Sequence, residues 1–372
     1  MKIALVHDYF SEFGGAERVL RVLSDMFPDA PIYIAFKVKG SLMDKSFADR
    51  EIRESFLAPI LRVGKLYSPL RFLAPFVWSS FDFSEYDLVI ASSSWFITKG
   101  FNITRGFKVG KYTKVICYCH TPPRYLYGYE TSINVMKYWP VKVYAAIVNH
   151  FLRMYDFWSA QKVDQFIANS EEVRARIQKF YRKEAIVIYP PVEVKKIIET
   201  TRRTKKDDFF LLVSRLVGGK GIEEAAEAAN KIGFKLRVVG EAAGFSKVRD
   251  RVRGGNNLEL LGRVNDEELY QLYARAKGFL AFARNEDFGM TVVEAQAAGT
   301  PVIAYNGGGF RETVVDGSTG LLIDDTSLEG LKRAFGKFER IKWQKEEIQE
   351  NAKRFSRENF EKKITKLISD VI

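Results

Sequence analysis

Residues 277–299 read KGFLAFARNEDFGMTVVEAQAAG, and their pattern indicates the fold class. The apolar run over residues 277–283 predicts a buried strand. Residues 291–298 have the pattern of a helix, which Gly299 closes ahead of Pro301. A buried strand, a loop and a helix in this order form the repeating unit of an open α/β sheet, in which ligands bind beyond the carboxyl ends of the strands.

Two glutamates, Glu286 and Glu294, are separated by seven residues and span this loop and the start of the helix. The first backbone N–H groups of a helix lie at its positive end, so they suit sugar hydroxyls or phosphate oxygens. Glu294 has two acceptor oxygens, which suit the paired hydroxyls of a ribose. Acidic residues at an exposed helix N-terminus explain the same pattern without a ligand. The other candidate contacts are Phe288, Gly289, Met290 and Thr291.

A glycine-rich turn follows the predicted strand in residues 211–221, LLVSRLVGGKG. Its two cations, Arg215 and Lys220, suit a diphosphate, because a guanidinium binds phosphate oxygens bidentately and an ammonium adds a point charge. The turn is not a P-loop, since Gly221 rather than Ser or Thr follows the lysine. The alternative is a surface turn with two solvated cations.

The N-terminus predicts a similar unit, with a strand over residues 2–6, a loop over residues 7–15 and a helix over residues 17–26. Gly14 and Gly15, at the start of that helix, let a phosphate or an acceptor approach the backbone. An ordinary strand-to-helix turn also uses glycine at these positions. The early strand leaves no room for a signal peptide, so we expect a cytoplasmic protein.

Residues 115–120, VICYCH, predict a strand that ends at His120. His120 is a candidate site residue because of this position, although a lone histidine is more often structural. Cys117 and Cys119 are the only cysteines, and the alternation of a strand places both side chains on one face. No second cluster completes a four-ligand metal site, so we expect reduced, packed thiols.

The spacing Glu286-x7-Glu294 resembles the signature of family 4 retaining glycosyltransferases. These enzymes have the α/β GT-B fold, in which two Rossmann-like domains with parallel sheets face a cleft. The resemblance implies that Arg215 and Lys220 bind the donor diphosphate and stabilise its charge as it departs. It also implies that Glu286 and His120 hold the transferred sugar.

Residues 260–268, LLGRVNDEE, resemble the family loop that contacts the nucleobase. This resemblance makes Val264 a backbone contact. It makes Asp266 an acceptor for guanine N1 and N2, which would select GDP over UDP or ADP. Asn265 and Glu268 also form a capping-box pattern, in which case Asp266 only favours the helix dipole. Both interpretations stay open.

The length of 372 residues suits two α/β domains of ordinary size. We predict an N-terminal, acceptor-side domain over residues 1–188 and a nucleotide-sugar-binding domain over residues 189–355. The residues from Trp343 onward have a helical pattern, and the resemblance implies that a last helix, residues 356–372, completes the N-terminal domain. The glycine-rich loop over residues 306–312 has no predicted catalytic role.

The net charge is +12, and two stretches, residues 55–81 and 88–129, contain no Asp or Glu. Their cations alternate with aromatic residues, which suits an anionic membrane surface. Buried aromatics beside solvated cations are the alternative, and no motif indicates nucleic-acid binding. No uncharged run reaches the roughly 20 apolar residues needed to cross a bilayer, so any attachment is peripheral.

The segment from His120 to Tyr125 is most similar to bacterial mannosyltransferases of surface-polysaccharide assembly. The sequence therefore predicts a retaining transfer of mannose from GDP-mannose to a lipid-linked glycan on the inner face of the cell membrane. No Asp-x-Asp motif is present, and Arg215 and Lys220 can neutralise the diphosphate, so we expect no metal cofactor. The alternatives are a UDP-sugar donor, or a sugar-nucleotide-binding membrane-surface protein without turnover.

Overall fold

The computed structural model describes residues 1–63, 67–101, 113–129, 139–241, 248, 252 and 255–372. These residues divide into two compact units. The first unit comprises the described residues up to Pro191 together with Phe360–Ile372, and the second comprises the described residues of Val192–Asn359. The sequence predicts these divisions at residues 189 and 356.

The first unit is built on a parallel sheet. Its strands are β1 (Ile3–His7), β2 (Ile32–Ile34), β3 (Ile52–Glu54), β4 (Leu88–Ser93), β5 (Lys114–Cys119), β6 (Gln165–Ala168) and β7 (Ala185–Val187). They lie in the order β3-β2-β1-β4-β5-β6-β7. Most of these strands are buried along their length, as expected for a parallel sheet that is covered on both faces.

Helices cover both faces of this sheet. They are α1 (Gly15–Met26), α2 (Leu42–Ser46), α3 (Ala58–Leu61), α4 (Ala74–Ser79), α5 (Trp139–Gln161) and α6 (Glu171–Tyr181), with 3₁₀ turns at Pro69–Leu73 and Arg124–Leu126. A local hydrogen bond fixes where α6 begins, because the Ser170 hydroxyl caps the helix by accepting from the Val173 N–H at 3.0 Å. Cys117 and Cys119 are thiols buried in the core on one face of β5, as the alternation predicts.

The second unit is also built on a parallel sheet. Its strands are β8 (Phe210–Val213), β9 (Leu236–Val239), β10 (Leu258–Gly262), β11 (Gly278–Ala281), β12 (Val302–Tyr305) and β13 (Gly320–Ile323), in the order β10-β9-β8-β11-β12-β13. Its helices are α7 (Val194–Thr201), α8 (Ile222–Ala228), α9 (Asp266–Arg275), α10 (Met290–Ala297), α11 (Phe310–Thr313), α12 (Leu328–Arg340) and α13 (Lys345–Lys353). A π-helical turn, Ala229–Gly233, extends α8. The prediction of an α/β fold with two Rossmann-like parallel-sheet domains is confirmed.

The prediction of one helix from Trp343 to the C-terminus is wrong. The chain forms α13 and then a separate helix, α14 (Arg357–Val371). Between them Phe355 is buried, and its carbonyl accepts from the Val192 N–H at 3.0 Å. This pairing of distant backbone groups interrupts the helix. Four side chains of α14 then enter the core of the first unit: Phe360, Ile364, Leu367 and Ile368.

The strand order reverses at one place in each sheet. β1 lies between β2 and β4, and β8 lies between β9 and β11. Loops that leave the carboxyl ends of strands on either side of such a switch point diverge, and open α/β sheets bind ligands there. The two switch points therefore identify which loops can carry a site.

Among the residues that the structure describes, part of the predicted basic and aromatic surface is buried, and membrane binding stays a prediction. Trp78, Phe96 and Phe101 belong to the core, and Lys99 is buried beside Asp156. These three aromatic residues therefore pack in the core of the first unit and are not exposed at its surface. The cations at 65, 105, 108 and 111 and the aromatic residue at 107 lie outside the described residues. Among the described helices, none is long and apolar enough to cross a membrane.

Candidate functional site

The switch point of the second unit brings two predicted site residues together. β8 and β11 are neighbours in the sheet, with Phe210 paired to Gly278, so the loops that follow them leave side by side. The Lys220 Nζ atom lies 2.7 Å from the Glu286 Oε2 atom. Both side chains remain about one fifth exposed, at 23% and 21%. The Glu286 carboxylate therefore fixes the direction of the Lys220 ammonium, which remains partly exposed to solvent.

The glycine-rich loop after β12 supports the backbone that carries Glu286. The Gly309 N–H donates to the Glu286 carbonyl at 3.0 Å. Gly308 has a φ of +55°, and a Cβ atom there would lie 2.2 Å from the same carbonyl oxygen. Sequence reasoning explained these glycines by turn chemistry alone. Local sequence pattern does not predict that these glycines contact the Glu286 backbone, which lies about 20 residues earlier in the chain.

The loop before α10 is held by close packing. Gly289 caps the helix with a φ of +90°, and a Cβ atom there would lie 2.7 Å from the Phe310 ring. Phe288 is buried, and its ring centroid lies 5.4 Å from that of Phe355. The first turn of α10 therefore presents Met290 and Thr291 on a rigid loop. The helix begins one residue before the predicted start.

Glu294 lies on α10 and is only 6% exposed. The Tyr273 hydroxyl, on α9, donates to its Oε2 atom at 2.8 Å. This hydrogen bond orients the carboxylate and satisfies part of its hydrogen-bonding capacity inside the unit. Sequence reasoning did not predict Tyr273, because the two residues are 21 positions apart and meet only through helix packing.

The remaining predicted donor contacts are more open. Arg215 is exposed in the turn after β8, and Val264 is half-buried after β10. Asp266 is exposed in the first turn of α9. The Asn265 side chain caps this helix by accepting from the Glu268 N–H at 2.9 Å. Helix capping is therefore realised at this position, and base recognition by Asp266 stays a prediction.

In the first unit, His120 lies at the end of a buried chain of polar groups. The His120 Nε2 atom lies 2.8 Å from the Ser92 hydroxyl, which lies 2.9 Å from the His7 Nδ1 atom. The His7 Nε2 atom lies 3.6 Å from a carboxylate oxygen of Glu17. The register of β1 on β4 places His7 opposite Ser92, so the sheet assembles this chain. Sequence reasoning singled out His120 alone.

Gly14 and Gly15 lie at the start of α1, as predicted, but the Glu17 side chain contacts the backbone there. The Gly14 N–H donates to the Glu17 Oε2 atom at 2.9 Å. Burial acts to raise the pKa of Glu17, but the hydrogen bond and the charge of His7, with the backbone bonds, outweigh it and lower the pKa. In this structure a carboxylate of the chain itself binds the amide that was predicted to meet a phosphate or an acceptor.

Asp8 connects the loops that follow β1 and β4. Its carboxylate accepts from the backbone N–H groups of Trp95 at 2.6 Å and Phe96 at 3.1 Å, and from the Thr98 hydroxyl. The side chain is only 4% exposed. These contacts hold the two loops of this switch point in one arrangement.

The uncharged form of His120 predicts a measurable pH dependence. Burial, reinforced by the charge of His7, lowers the pKa of His120 to about 3, against the opposing effect of Glu17. An unfolded chain binds this proton near its ordinary pKa of about 6.5, so stability falls as pH falls through the interval between these values. We expect a loss of about 1 kcal/mol in the free energy of unfolding between about pH 6 and pH 5.

Urea unfolding of the protein and of His120→Gln over this pH range measures the effect. The glutamine keeps a hydrogen bond to Ser92 and removes the titration, so its stability is expected to change less with pH. His150→Gln is the matched control, because His150 is exposed on α5. Equal pH slopes for the protein and His120→Gln would contradict the prediction.

In the described part of the chain, no group of three or more His, Cys, Asp or Glu residues is placed to hold a metal ion. Metal independence stays a prediction, to be tested in the presence of a chelator.

Two family models match successive parts of the chain. The model described as Glycosyltransferase Family 4 matches residues 13–196, and the model described as Glycosyl transferases group 1 matches residues 193–355. Each model matches less than half of the chain, and both describe glycosyltransferases. The two matches meet near the division between the units, and the Lys220–Glu286 pair lies within the second match.

Curated proteins similar to this chain include an uncharacterized glycosyltransferase, MJ1178, of Methanocaldococcus jannaschii. It is 29% identical over 196 residues, which are 52% of this chain and 55% of the relative. O-antigen chain mannosyltransferase C of Escherichia coli is 26% identical over 236 residues, 60% of this chain and 61% of the relative. The chain therefore spans less than two thirds of the length of either relative.

A solved structure resembles this chain over its whole length. Anabaena Alr3699/HepE in complex with UDP has a TM-score of 0.66 and 20% identity, with 100% of both chains covered. At this identity the likeness establishes the fold, which is GT-B. The two Rossmann-like sheets are thus those of a known fold.

Proposed function

We propose that this chain is a retaining glycosyltransferase that transfers mannose from GDP-mannose to a lipid-linked glycan at the cytoplasmic face of a membrane. The observation that carries the proposal is the Lys220–Glu286 pair at the switch point between β8 and β11. The similarity to an O-antigen chain mannosyltransferase supports mannose as the sugar.

Each residue has a role that follows from its chemistry. Lys220 and Arg215 neutralise the departing diphosphate, and Glu286 keeps the Lys220 ammonium in place. Glu294 binds the ribose through the oxygens of its carboxylate. His120, with its lowered pKa, meets the transferred sugar as an uncharged donor or acceptor at neutral pH. Two cations suffice to neutralise the leaving group, so the reaction needs no metal.

The second candidate is a UDP-sugar donor. HepE, which shares the fold, was solved with UDP. Asp266 distinguishes the two candidates, because its carboxylate can accept from the two guanine N–H positions, whereas the uracil edge offers a single ring N–H beside two carbonyl acceptors. Binding of GDP in preference to UDP, and its dependence on Asp266, therefore decides the donor.

Calorimetry with GDP, UDP and ADP in the presence of EDTA tests the donor. We expect selective GDP binding, a loss of roughly tenfold or more in affinity for Glu294→Gln, and a loss of base selectivity for Asp266→Asn. Glu267→Gln is the matched control, since Glu267 is the exposed neighbour of Asp266 in α9.

Incubation with GDP-mannose and a lipid-linked acceptor tests turnover. Preference for UDP would replace the donor and leave glycosyl transfer in place. Nucleotide binding without turnover on any acceptor would favour a non-catalytic binding protein. Failure to bind any of the three nucleotides would contradict the proposed function.

A further inference from the structure

The helix α5 exposes a row of large apolar side chains that the site does not use. The row comprises Trp139, Val143, Ile147, Phe151, Met154 and Trp158, which are between 42% and 75% exposed. Their spacing of three or four residues places them along one face of the helix. We call this row the apolar stripe of α5.

The opposite face of α5 is well packed, so the stripe does not result from a poorly attached helix. Leu152 lies in a small core with Ile97 and Leu126. Asp156 is fully buried beside Lys99. The helix is therefore held firmly by its buried face, while a continuous apolar face is turned to solvent. Contiguous exposed apolar surface of this kind marks an interaction site.

The charges beside the stripe indicate what it contacts. The exposed polar side chains of α5 include Lys142, His150 and Arg153. The helix has one acidic residue, Asp156, and that residue is buried. An exposed face with cations and without carboxylates suits a negatively charged surface. The net charge of +12 acts in the same direction.

A segment attached to α5 also exposes apolar side chains. The Tyr144 hydroxyl donates to the Pro69 carbonyl, and the Arg71 guanidinium donates to the Asn149 side chain at 3.1 Å. These contacts attach the segment after residue 67 to α5. It exposes Phe72 by 40% and Phe76 by 59%, and residues 55–81 contain no Asp or Glu.

We propose that the apolar stripe of α5 docks in the interfacial region of an anionic lipid bilayer, with the helix lying along the membrane surface. Trp139 and Trp158, at the two ends of the stripe, suit the headgroup level, where tryptophan is favoured. Lys142 and Arg153 contact the anionic headgroups. The inference rests on the proposed function, because a lipid-linked acceptor requires the enzyme at a membrane.

A second copy of this chain is the other way to cover the stripe. In a symmetric dimer through α5, the same face of each copy meets the other, so cations of both copies, Lys142 and Arg153, would be brought together without an exposed carboxylate of α5 to offset them. Charge complementarity therefore favours the bilayer.

Cosedimentation with vesicles tests the proposal on the full chain. The vesicles contain phosphatidylglycerol and phosphatidylcholine, or phosphatidylcholine alone. We expect binding to the anionic vesicles, weaker binding to the neutral ones, and a loss of roughly a hundredfold or more in partitioning for Ile147→Gln/Phe151→Gln/Trp158→Gln. These three side chains are exposed, so their replacement leaves the core unchanged.

The matched control is Leu42→Gln/Ile186→Gln/Val315→Gln, which changes three exposed apolar residues outside the stripe. It is expected to bind vesicles as the unchanged protein does. Equal binding by the stripe variant, or no binding of the unchanged protein to anionic vesicles, would overturn the proposal. The proposal would also be overturned if light scattering showed that the unchanged protein is a dimer and that the stripe variant is a monomer that still binds vesicles.

Nucleotide binding by the same proteins separates this proposal from the proposed function. Loss of vesicle binding by the stripe variant with nucleotide affinity retained supports the docking face. If the unchanged protein binds vesicles through the stripe but binds no nucleotide, the proposed function fails and the docking face stands.

Discussion

Replacing Lys220 with alanine is expected to lower kcat/KM by roughly 100- to 1000-fold, because a preorganised charge at the leaving group is lost. The ammonium lies 2.7 Å from the Glu286 carboxylate, on a turn that the strand β8 and the helix α8 hold at both ends. The stability of the protein is expected to change little, since both side chains are partly exposed. Initial rates with GDP-mannose and an acceptor, beside thermal unfolding, measure both quantities.

The Glu286→Gln variant tests whether the two residues act as a pair. If Glu286 positions Lys220 as well as meeting the sugar, the double variant will lose less than the sum of the two single losses in activation free energy. Lys277→Ala is the matched control, because Lys277 forms an ion pair with Glu339 at 2.7 Å in the same unit. An activity of Lys220→Ala within about threefold of the unchanged enzyme would refute a role in the transition state.

Replacing Lys99 with methionine is expected to lower the free energy of unfolding by about 3–5 kcal/mol, because an unpaired carboxylate is left in the core. The Lys99 Nζ atom lies 2.8 Å from the Asp156 Oδ1 atom, with side-chain exposures of 1% and 0%. The Tyr127 hydroxyl donates to the Asp156 Oδ2 atom at 2.7 Å. Burial acts to lower the pKa of Lys99, but the Asp156 charge outweighs it, and the pKa is raised.

Urea unfolding at neutral pH measures this loss in the transition of the first unit. The double variant Lys99→Met/Asp156→Asn removes both charges and keeps an acceptor for Tyr127, so it is expected to regain more than half of the lost stability. Lys114→Met is the control, because Lys114 pairs with Asp164 at 42% exposure and should change stability by less than about 1 kcal/mol. A similarly small change for Lys99→Met would contradict the prediction.

The Lys99–Asp156 pair also connects the fold to the proposed membrane face. Asp156 lies on the buried side of α5, and Lys99 follows the loop that Asp8 holds through Thr98. The same interactions that fix the loop after β4 therefore fix the helix that carries the apolar stripe. A variant that breaks this pair is therefore expected to lose stability and membrane binding together, whereas the stripe variant loses membrane binding alone.

Local pattern predicted the elements of the second unit well. The strand predicted over residues 277–283 occurs as β11, Gly278–Ala281, and the helix after Gly289 begins within one residue of its predicted start. Glycine at helix ends and unbroken apolar runs are short-range signals, which is why these elements were readable. The C-terminal region was misread, because the break at Phe355 depends on a hydrogen bond from the distant Val192.

The contacts that orient site residues could not be read in the same way. Tyr273 reaches Glu294 through the packing of α9 against α10, and Ser92 reaches His120 and His7 through the register of the sheet. Each contact joins positions that are 21 or more residues apart. Sequence periodicity does not predict contacts between residues that are so far apart in the chain.

By itself, the sequence determined two α/β units, the loops that carry charged candidates, and a strong excess of positive charge. These properties depend on residue type and short spacing, which any chain shows before it folds. Only the tertiary structure decided that Lys220 contacts Glu286, that Lys99 and its aromatic neighbours are buried, and that α5 turns apolar side chains outward. Those outcomes depend on strand order and on which face of each helix is covered, and both are properties of the assembled sheet.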